Sequence, residues 1–227
     1  LSPESVEENI HKYAYDMSET SMLEVENTTS GLVYPIQTMQ MLKKIAKDNN
    51  LWLHLDGARI FNAQVASGIS VKEYANNADD ITFCLSKGLG APAFSILCSN
   101  RDFIKDARRC KKILGGGMRQ IGILAAAGIY ALEHNIERLK EDHDNRKTLS
   151  DALENTDWAK VEISSTNMIF FSSVYPIANI VEAFKKRGIL FLSDNGMGRI
   201  VTSLNVGHSD CDAIAKTIKQ IDPKEFE

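Results

Sequence analysis

Short apolar segments alternate with segments of helical periodicity along the first half of the chain, and this alternation constrains the fold most. The apolar segments are 21–26, 51–55, 81–85 and 94–97. The third is apolar at nearly every position, which is typical of a parallel strand covered on both faces. Strands that alternate with helices predict a parallel α/β sheet.

Capping residues and apolar spacing predict where the helices lie between these strands. Ser2 followed by Pro3 predicts a helix at the start of the chain, and Asn100 predicts one that runs to about residue 112. Pro35 begins a third helix, and its apolar residues keep the spacing of one helical face: Ile36, Met39, Leu42 and Ile45. The segment 60–74 is predicted as a broken helix.

The second half of the chain has a different order of elements. One long helix is predicted from about 119 to 153, after the glycine run 115–117. Short strands are predicted at 161–163, 167–172, 190–193 and 199–204, with helices at 177–187 and from Ser209, where Asp212 completes a capping-box pattern. This order predicts a compact α+β unit. We therefore place a domain boundary inside the long helix, between a large domain at 1–127 and a small domain at 128–227.

Charge and composition exclude several classes of function. The net charge of −4 is spread without long runs, so no basic surface for nucleic acid or anionic membrane is predicted. No apolar run approaches the roughly 18 residues that a membrane span needs, and no signal peptide opens the chain. The four cysteines show no C-x-x-C pair, which predicts reduced thiols in a cytoplasmic protein and no metal site. A dehydrogenase is disfavoured because no G-x-G-x-x-G opens a helix after a strand.

An acidic and a basic residue follow two neighbouring predicted strands. Asp56 ends the second strand, and Lys87 comes just after the third. Parallel strands joined by one crossover end at the same edge of the sheet, where open α/β sheets bind their ligands. Around Lys87, the small residues Ser86, Gly88 and Gly90 offer backbone N–H groups to an anion.

This combination has a specific chemical use. A lysine amine can form a Schiff base with an aldehyde cofactor. A carboxylate can keep a pyridine nitrogen protonated, which makes pyridoxal phosphate an electron sink. The other interpretation is a surface lysine and a turn aspartate, and spacing alone leaves both interpretations open.

Longer segments around these residues resemble a known family. They are HLDGARIFNA at 54–63, SKGLGAP at 86–92, LGGGMRQIGILAAAGIYAL at 114–132, TNMIFF at 166–171 and GRIVTSLN at 198–205. In order and spacing, the chain resembles the low-specificity L-threonine aldolases, which are fold type I pyridoxal phosphate enzymes. The resemblance covers essentially the whole chain. It implies a partial large domain with a mostly parallel sheet and a small C-terminal α+β domain.

The resemblance implies roles for seven residues. Lys87 would bind the cofactor covalently, Asp56 would pair with its pyridine nitrogen, and Ser86 would position the phosphate or the lysine. Arg59 and Arg199 would bind the substrate carboxylate, because a guanidinium forks onto a carboxylate in a fixed plane, and Arg59 would also contact the cofactor. Lys112 and Arg119 would approach the phosphate from a neighbouring subunit. For Arg59 and Arg199, the other interpretation is an ordinary structural arginine.

The chain also departs from the family pattern. Its first residue is Leu, and we expect a preceding segment, with a phosphate-binding turn and a histidine that stacks on the cofactor, to be absent here. Thr29 and Ser203 stand where relatives often carry histidine. His54 shares a strand face with Asp56 and is a minor candidate.

The resemblance predicts retro-aldol cleavage of L-threonine, L-allo-threonine and related β-hydroxy amino acids to glycine and an aldehyde. It also implies a homodimer or homotetramer with sites between subunits. Two alternatives stay open at this point. One is another fold type I lyase, racemase or aminotransferase, and the other is an inactive truncated scaffold.

Overall fold

The computed structural model describes residues 1–13 and 15–227, which form two compact units. The larger unit comprises 1–29 and 33–136, and the smaller unit comprises 30–32 and 137–227. The division into domains at 127/128 stays a prediction. The chain passes for the last time from the larger to the smaller unit between Ile136 and Glu137.

A four-stranded sheet forms the centre of the larger unit. In chain order the elements are α1 (Pro3–Glu8), β1 (Met22–Glu26), α2 (Ile36–Asp48), β2 (Trp52–Asp56), α3 (Ile60–Ser67), α4 (Val71–Ala75), β3 (Asp80–Cys84), β4 (Ser95–Cys98), α5 (Arg101–Ile113) and α6 (Gly122–His134). The strand order is β1-β2-β3-β4. The first three strands are parallel and β4 is antiparallel to β3, so the predicted mostly parallel sheet is confirmed.

Local signals in the sequence explain where these helices begin. The Ser2 hydroxyl accepts a hydrogen bond from the Ser5 N–H, and the Asn100 side chain accepts one from the Phe103 N–H, as N-caps do. The predicted starts of α1 and α5 are therefore confirmed. The apolar stripe of α2 is buried in one core with strand residues such as Leu53 and Leu55.

The smaller unit is an antiparallel sheet with three helices and a closing 3₁₀ turn. Its elements are α7 (Leu139–Glu154), β5 (Ala159–Ser165), β6 (Met168–Ser173), α8 (Ile177–Lys185), β7 (Leu192–Asp194), β8 (Met197–Val201), α9 (His208–Gln220) and the 3₁₀ turn (Pro223–Phe226). The strand order is β5-β6-β8-β7. Its core centres on four aromatic residues, Trp158, Phe171, Phe184 and Phe226. The predicted α+β unit is confirmed.

Two predictions about helices are wrong. The helix expected from about 119 to 153 is two helices, because a turn at 135–138 separates α6 from α7. At this turn the Asn135 side-chain amide donates to the Leu89 carbonyl, 2.7 Å away. The last helix begins at His208, and not at Ser209 with an Asp212 cap. The Gly207 N–H donates to the Asp210 carboxylate at 3.0 Å, which makes Gly207 the N-cap.

Within residues 1–13 and 15–227, no helix combines the length and the apolar character that crossing a membrane requires.

Candidate active site

The carboxyl ends of β1, β2 and β3 form one edge of the sheet in the larger unit. The register places Glu26, Asp56 and Thr82 side by side across the three parallel strands. Asp56 is the last residue of β2 and is half-buried. One of its carboxylate oxygens accepts a hydrogen bond from the Ala58 N–H at 2.9 Å. This bond holds the carboxylate at the end of its strand.

The turn after Asp56 depends on the close approach of two strands. The Gly57 N–H donates to the Thr82 carbonyl at 2.8 Å. A Cβ atom at Gly57 would lie 2.7 Å from that same oxygen, closer than real Cβ contacts come. Only glycine therefore fits at this position. Its N–H bond to Thr82 fixes the end of β2 against β3.

Lys87 lies in a loop whose two ends and tip are held together by backbone hydrogen bonds. The Leu85 N–H donates to the Phe94 carbonyl at 2.9 Å, and the Ala91 N–H donates to the Leu85 carbonyl at 3.0 Å. The Gly90 N–H donates to the Lys87 carbonyl at 2.9 Å, and Gly90 adopts a φ of +73° that favours glycine. The loop backbone is thus fixed at its base and across its tip.

The side chains of Ser86 and Lys87 are exposed on this loop. In the part of the chain that the structure describes, the Lys87 amine has no hydrogen bond or ion pair. An amine that is accessible and not engaged by a carboxylate can react with a carbonyl group of a ligand.

Helix α6 supports this loop from the side of Leu85. A Cβ atom at Gly128 would lie 2.9 Å from a methyl carbon of Leu85, so the helix backbone approaches the loop closely. The bond from Asn135 to the Leu89 carbonyl ties the end of the same helix to the same loop. The position of Lys87 therefore depends on contacts made far along the chain.

Four of the seven predicted site residues lie at this edge of the larger unit. Asp56 ends β2. Arg59 lies three residues further on, half-buried and directly before the first residue of α3. Ser86 and Lys87 follow β3. The topology thus brings the predicted acid, one predicted arginine and the predicted lysine to one edge of one sheet.

Lys112 and Arg119 lie elsewhere in the larger unit. Both are exposed, Lys112 in the last turn of α5 and Arg119 in the segment before α6. The Lys112 alkyl chain fills the space beside Gly117, where a Cβ atom would lie 2.5 Å from its Cδ. Neither side chain forms a hydrogen bond or an ion pair with any residue that the structure describes.

Arg199 belongs to β8 of the smaller unit. Its Nε lies 4.0 Å from an Asp194 carboxylate oxygen, and its guanidinium carbon lies 6.0 Å from the centre of the Phe170 ring. Its Nε is buried and has no hydrogen-bond partner among the described residues.

His54 is held by a buried carboxylate that the sequence did not single out. Its Nδ1 lies 2.6 Å from Asp80, whose side chain is 4% exposed, and Trp52 Nε1 donates to the same carboxylate. His54 and Asp80 are register partners on β2 and β3. Asp80 was missed because it begins its strand, whereas ligands of an open α/β sheet are expected at the carboxyl ends of the strands.

Asn27 and Thr28, which follow β1, were also missed as site residues. Both are buried, at 0% and 2% exposure. A signal was present, because they come directly after a predicted strand, just as Asp56 stands at the end of one. The described residues include no group of three or more His, Cys, Asp or Glu side chains arranged to hold a metal ion.

This chain is similar to known proteins both in sequence and in fold. A sequence model of the family described as Beta-eliminating lyase matches residues 1–174. The low specificity L-threonine aldolase of Escherichia coli K12 is 43% identical over 196 residues, which are 86% of this chain and 59% of that protein. The chain thus spans less than two thirds of the length of this relative.

Solved structures share the fold. The threonine aldolase of Leishmania major superposes with a TM-score of 0.79 at 19% identity, over 97% of this chain and 67% of that one. The sphingosine-1-phosphate lyase of Burkholderia pseudomallei superposes with a TM-score of 0.70 at 18% identity, over 96% and 53% of the two chains. These similarities confirm the predicted α/β class and fold type I.

Proposed function

We propose, from the premise that this chain belongs to the Beta-eliminating lyase family, that it is a pyridoxal phosphate-dependent aldehyde-lyase of amino acid metabolism. Its substrates would be L-threonine, L-allo-threonine and related β-hydroxy amino acids, cleaved to glycine and an aldehyde. The proposal rests above all on one observation about the Lys87 amine. The amine is exposed, has no partner among the described residues, and lies at the sheet edge that also holds Asp56. The 43% identity to a threonine aldolase supports the choice of substrate.

The residues at this edge fit the cofactor. Lys87 offers an accessible amine for its aldehyde, and the half-buried Asp56 offers a carboxylate for its ring nitrogen. Ser86 offers a hydroxyl to a phosphate and Gly88 leaves room beside it, whereas the Gly90 N–H already donates to the Lys87 carbonyl. When bound, pyridoxal phosphate supplies an electron sink for the bond that is cleaved at the amino acid Cα.

Each side chain then has a defined task. Asp56 would hold the ring nitrogen of the cofactor, and because the Ala58 N–H already fixes its carboxylate, little reorganisation would be needed as charge develops. Arg59 would bind the substrate carboxylate through paired N–H donors, and Arg199, on the smaller unit, is the second candidate for this role. Lys87 would hold the cofactor through its amine, and the same amine would serve to move a proton.

The experiment is a product assay with the purified protein, pyridoxal phosphate and L-threonine. We expect glycine and acetaldehyde in equal amounts from the wild type. Lys87→Ala should lose activity by about 10²–10⁴-fold, since it removes both the attachment point and a proton-transfer group. Lys72→Ala, which removes another exposed lysine, should leave the rate unchanged.

Other products would contradict the proposed reaction. Pyruvate and ammonia would indicate β-elimination, a D-amino acid would indicate racemisation, and a requirement for a keto acid would indicate transamination. Full activity in Lys87→Ala would contradict the assigned role of the lysine. Absence of both cofactor binding and products would identify a scaffold.

We also propose that the protein is a homodimer or homotetramer with sites at the subunit interface. Helix α5 has no buried residue among those that the structure describes, and α6 buries Gly128 and Ala131 while most of its apolar side chains stay exposed. The exposed apolar residues of this region include Leu114 and Ile123, each 85% exposed. Such a patch is typical of a protein interface. Lys112 and Arg119 lie within it and would reach the cofactor phosphate of the neighbouring subunit.

A cytoplasmic location completes the proposal. It is supported by the four cysteines, which are all free.

A further inference from the structure

We propose that Asn135 is a positioning residue for Lys87. From the end of α6, its side-chain amide holds the loop that carries the reactive amine. The inference deepens the proposed function and rests on it, because it assigns a further residue to the same reaction. Asn135 is not among the seven residues that the sequence singled out.

The loop that Asn135 contacts has buried residues on both sides of the lysine. Leu85, Leu89 and Ala91 are 5%, 3% and 7% exposed. Lys87 lies between them and is exposed. The Asn135 amide donates to the Leu89 carbonyl at 2.7 Å, from 46 residues further along the chain. This bond therefore acts on the loop two residues from the reactive amine.

One face of α6 is directed at this loop. Gly128 and Asn135 lie about two helical turns apart, and Asn135 keeps right-handed helical backbone angles, so the two residues share that face. A Cβ atom at Gly128 would lie 2.9 Å from a methyl carbon of Leu85. The helix therefore meets the loop at Leu85 and again at Leu89, on either side of Lys87.

Other helices of this chain show what an asparagine at a helix end ordinarily does. Three of them end on an asparagine whose amide donates to a carbonyl of its own helix, four residues earlier: Asn9 to Ser5 at 2.8 Å, Asn49 to Ile45 at 3.0 Å and Asn155 to Asp151 at 2.6 Å. The equivalent acceptor for Asn135 is the Ala131 carbonyl. The Asn135 side chain instead leaves its own helix and reaches the loop.

This difference separates capping from positioning. The backbone N–H of Asn135 donates to the Ala131 carbonyl at 2.9 Å, and this bond closes α6 whatever the side chain is. An amide nitrogen only donates and a carbonyl oxygen only accepts, so the side-chain bond fixes which end of the amide faces the loop. The side chain of Asn135 thus serves the loop and the backbone serves the helix.

A fixed loop matters for the chemistry because the lysine side chain is long and flexible. The protein can fix the backbone that carries the amine, and the rate of a reaction between two groups depends on how often they meet in the reactive geometry. With the loop held at Leu85 and Leu89, the Lys87 amine samples a restricted set of positions. Without the Asn135 bond, one of these two contacts is lost.

The first test uses the protein loaded with pyridoxal phosphate. Asn135→Ala removes the amide, and Asn135→Asp keeps its shape but removes the N–H donor. In both variants we expect kcat for L-threonine, counted per site that binds the cofactor, to fall about ten- to hundredfold. The KM should stay within about threefold, because the bond holds the lysine loop and not the arginines assigned to the substrate carboxylate.

A second readout uses the cofactor-free protein. The N–H groups of Gly90 and Ala91 donate within the loop, at 2.9 and 3.0 Å, and their hydrogen exchange reports how often the loop opens. In both Asn135 variants we expect this exchange to be about tenfold faster, the effect of losing one hydrogen bond.

Asn49→Ala is the matched control. Asn49 also ends a helix of the larger unit, is also half-buried, and its amide also donates to a backbone carbonyl. Its loss should lower the urea midpoint of the cofactor-free protein about as much as Asn135→Ala does. The kcat, the KM and the exchange of the loop should keep their wild-type values, because the bond of Asn49 lies within α2.

A wild-type kcat in both Asn135 variants would overturn the inference. Wild-type exchange in the loop, an equal loss of kcat in Asn49→Ala, or a failure of both Asn135 variants to fold would also overturn it, since each means that the amide does not act through the loop. If the wild type shows neither cofactor binding nor products, the proposed function fails, and this inference fails with it. If the wild type is active and the Asn135 variants equal it, only this inference fails.

Discussion

His143 on α7 shows how the surroundings of one residue set the pH dependence of stability. Burial and the nearby positive charge of Arg146 lower its pKa to about 4. Above pH 6.5 the imidazole is neutral in both the folded and the unfolded chain, and the free energy of unfolding is unaffected. Between pH 6.5 and about 4 the unfolded chain binds a proton that the folded chain does not. The free energy of unfolding therefore falls as the pH falls through this window.

This effect can be measured as a difference between two pH values. From pH 7.5 to pH 5, His143 should contribute a loss of about 1 kcal/mol in the free energy of unfolding, less than the whole pKa shift implies because solvent screens the partly exposed ring. His143→Gln should remove this part of the decline, as followed by urea unfolding at both pH values. His134→Gln, at an exposed position of α6, should keep the wild-type decline. An unchanged decline in His143→Gln would contradict the assigned cause.

At the same scale, the sequence predicts some site residues and not others. Asp56 and Lys87 could be placed because each stands at or just after the end of an apolar strand and is followed by a glycine. Asn27 and Thr28 follow a strand in the same way, but their burial depends on residues distant in the sequence. Asp80 could not be found, because its role comes from the register that sets it beside His54.

At the scale of elements, the exposed apolar side chains of helices α5 and α6 lead to a prediction about the oligomeric state. If their exposed apolar side chains form a subunit interface, a charge placed there should separate the subunits. Ile123→Glu should convert an oligomer to a monomer, as measured by size-exclusion chromatography with light scattering. Val174→Glu, at an 81% exposed position of the smaller unit, should leave the oligomer intact. A wild-type monomer, or an Ile123→Glu oligomer, would contradict the interface.

Element types were predictable where apolar periodicity was strong, as in α2 and β3. The boundary between α6 and α7 was not predictable, because the sequence between them contains no glycine or proline. That break is stabilised by the tertiary bond between Asn135 and the Leu89 carbonyl. The predicted N-cap of α9 was two residues too late, because Gly207 has no side chain that would mark it as a cap. The Asp210 carboxylate instead accepts a hydrogen bond from the Gly207 N–H.

For the whole molecule, the alternation of strands and helices followed by an α+β unit was enough to predict the fold class. The antiparallel direction of β4 was not predictable from its composition, since a short apolar strand reads the same in either direction. The chemistry depends on a smaller set of facts, above all that the sheet brings Lys87 and Asp56 to one edge. The central claim is that this lysine holds the cofactor.

That claim is tested most directly by reducing the protein with borohydride after incubation with pyridoxal phosphate, and mapping the modified lysine by mass spectrometry of its peptides. Reduction makes the link between lysine and cofactor permanent, so the label records which amine reacted. We predict one modified peptide, carrying the label on Lys87, and no such peptide from Lys87→Ala. A label on other lysines, or no label at all, would contradict the account.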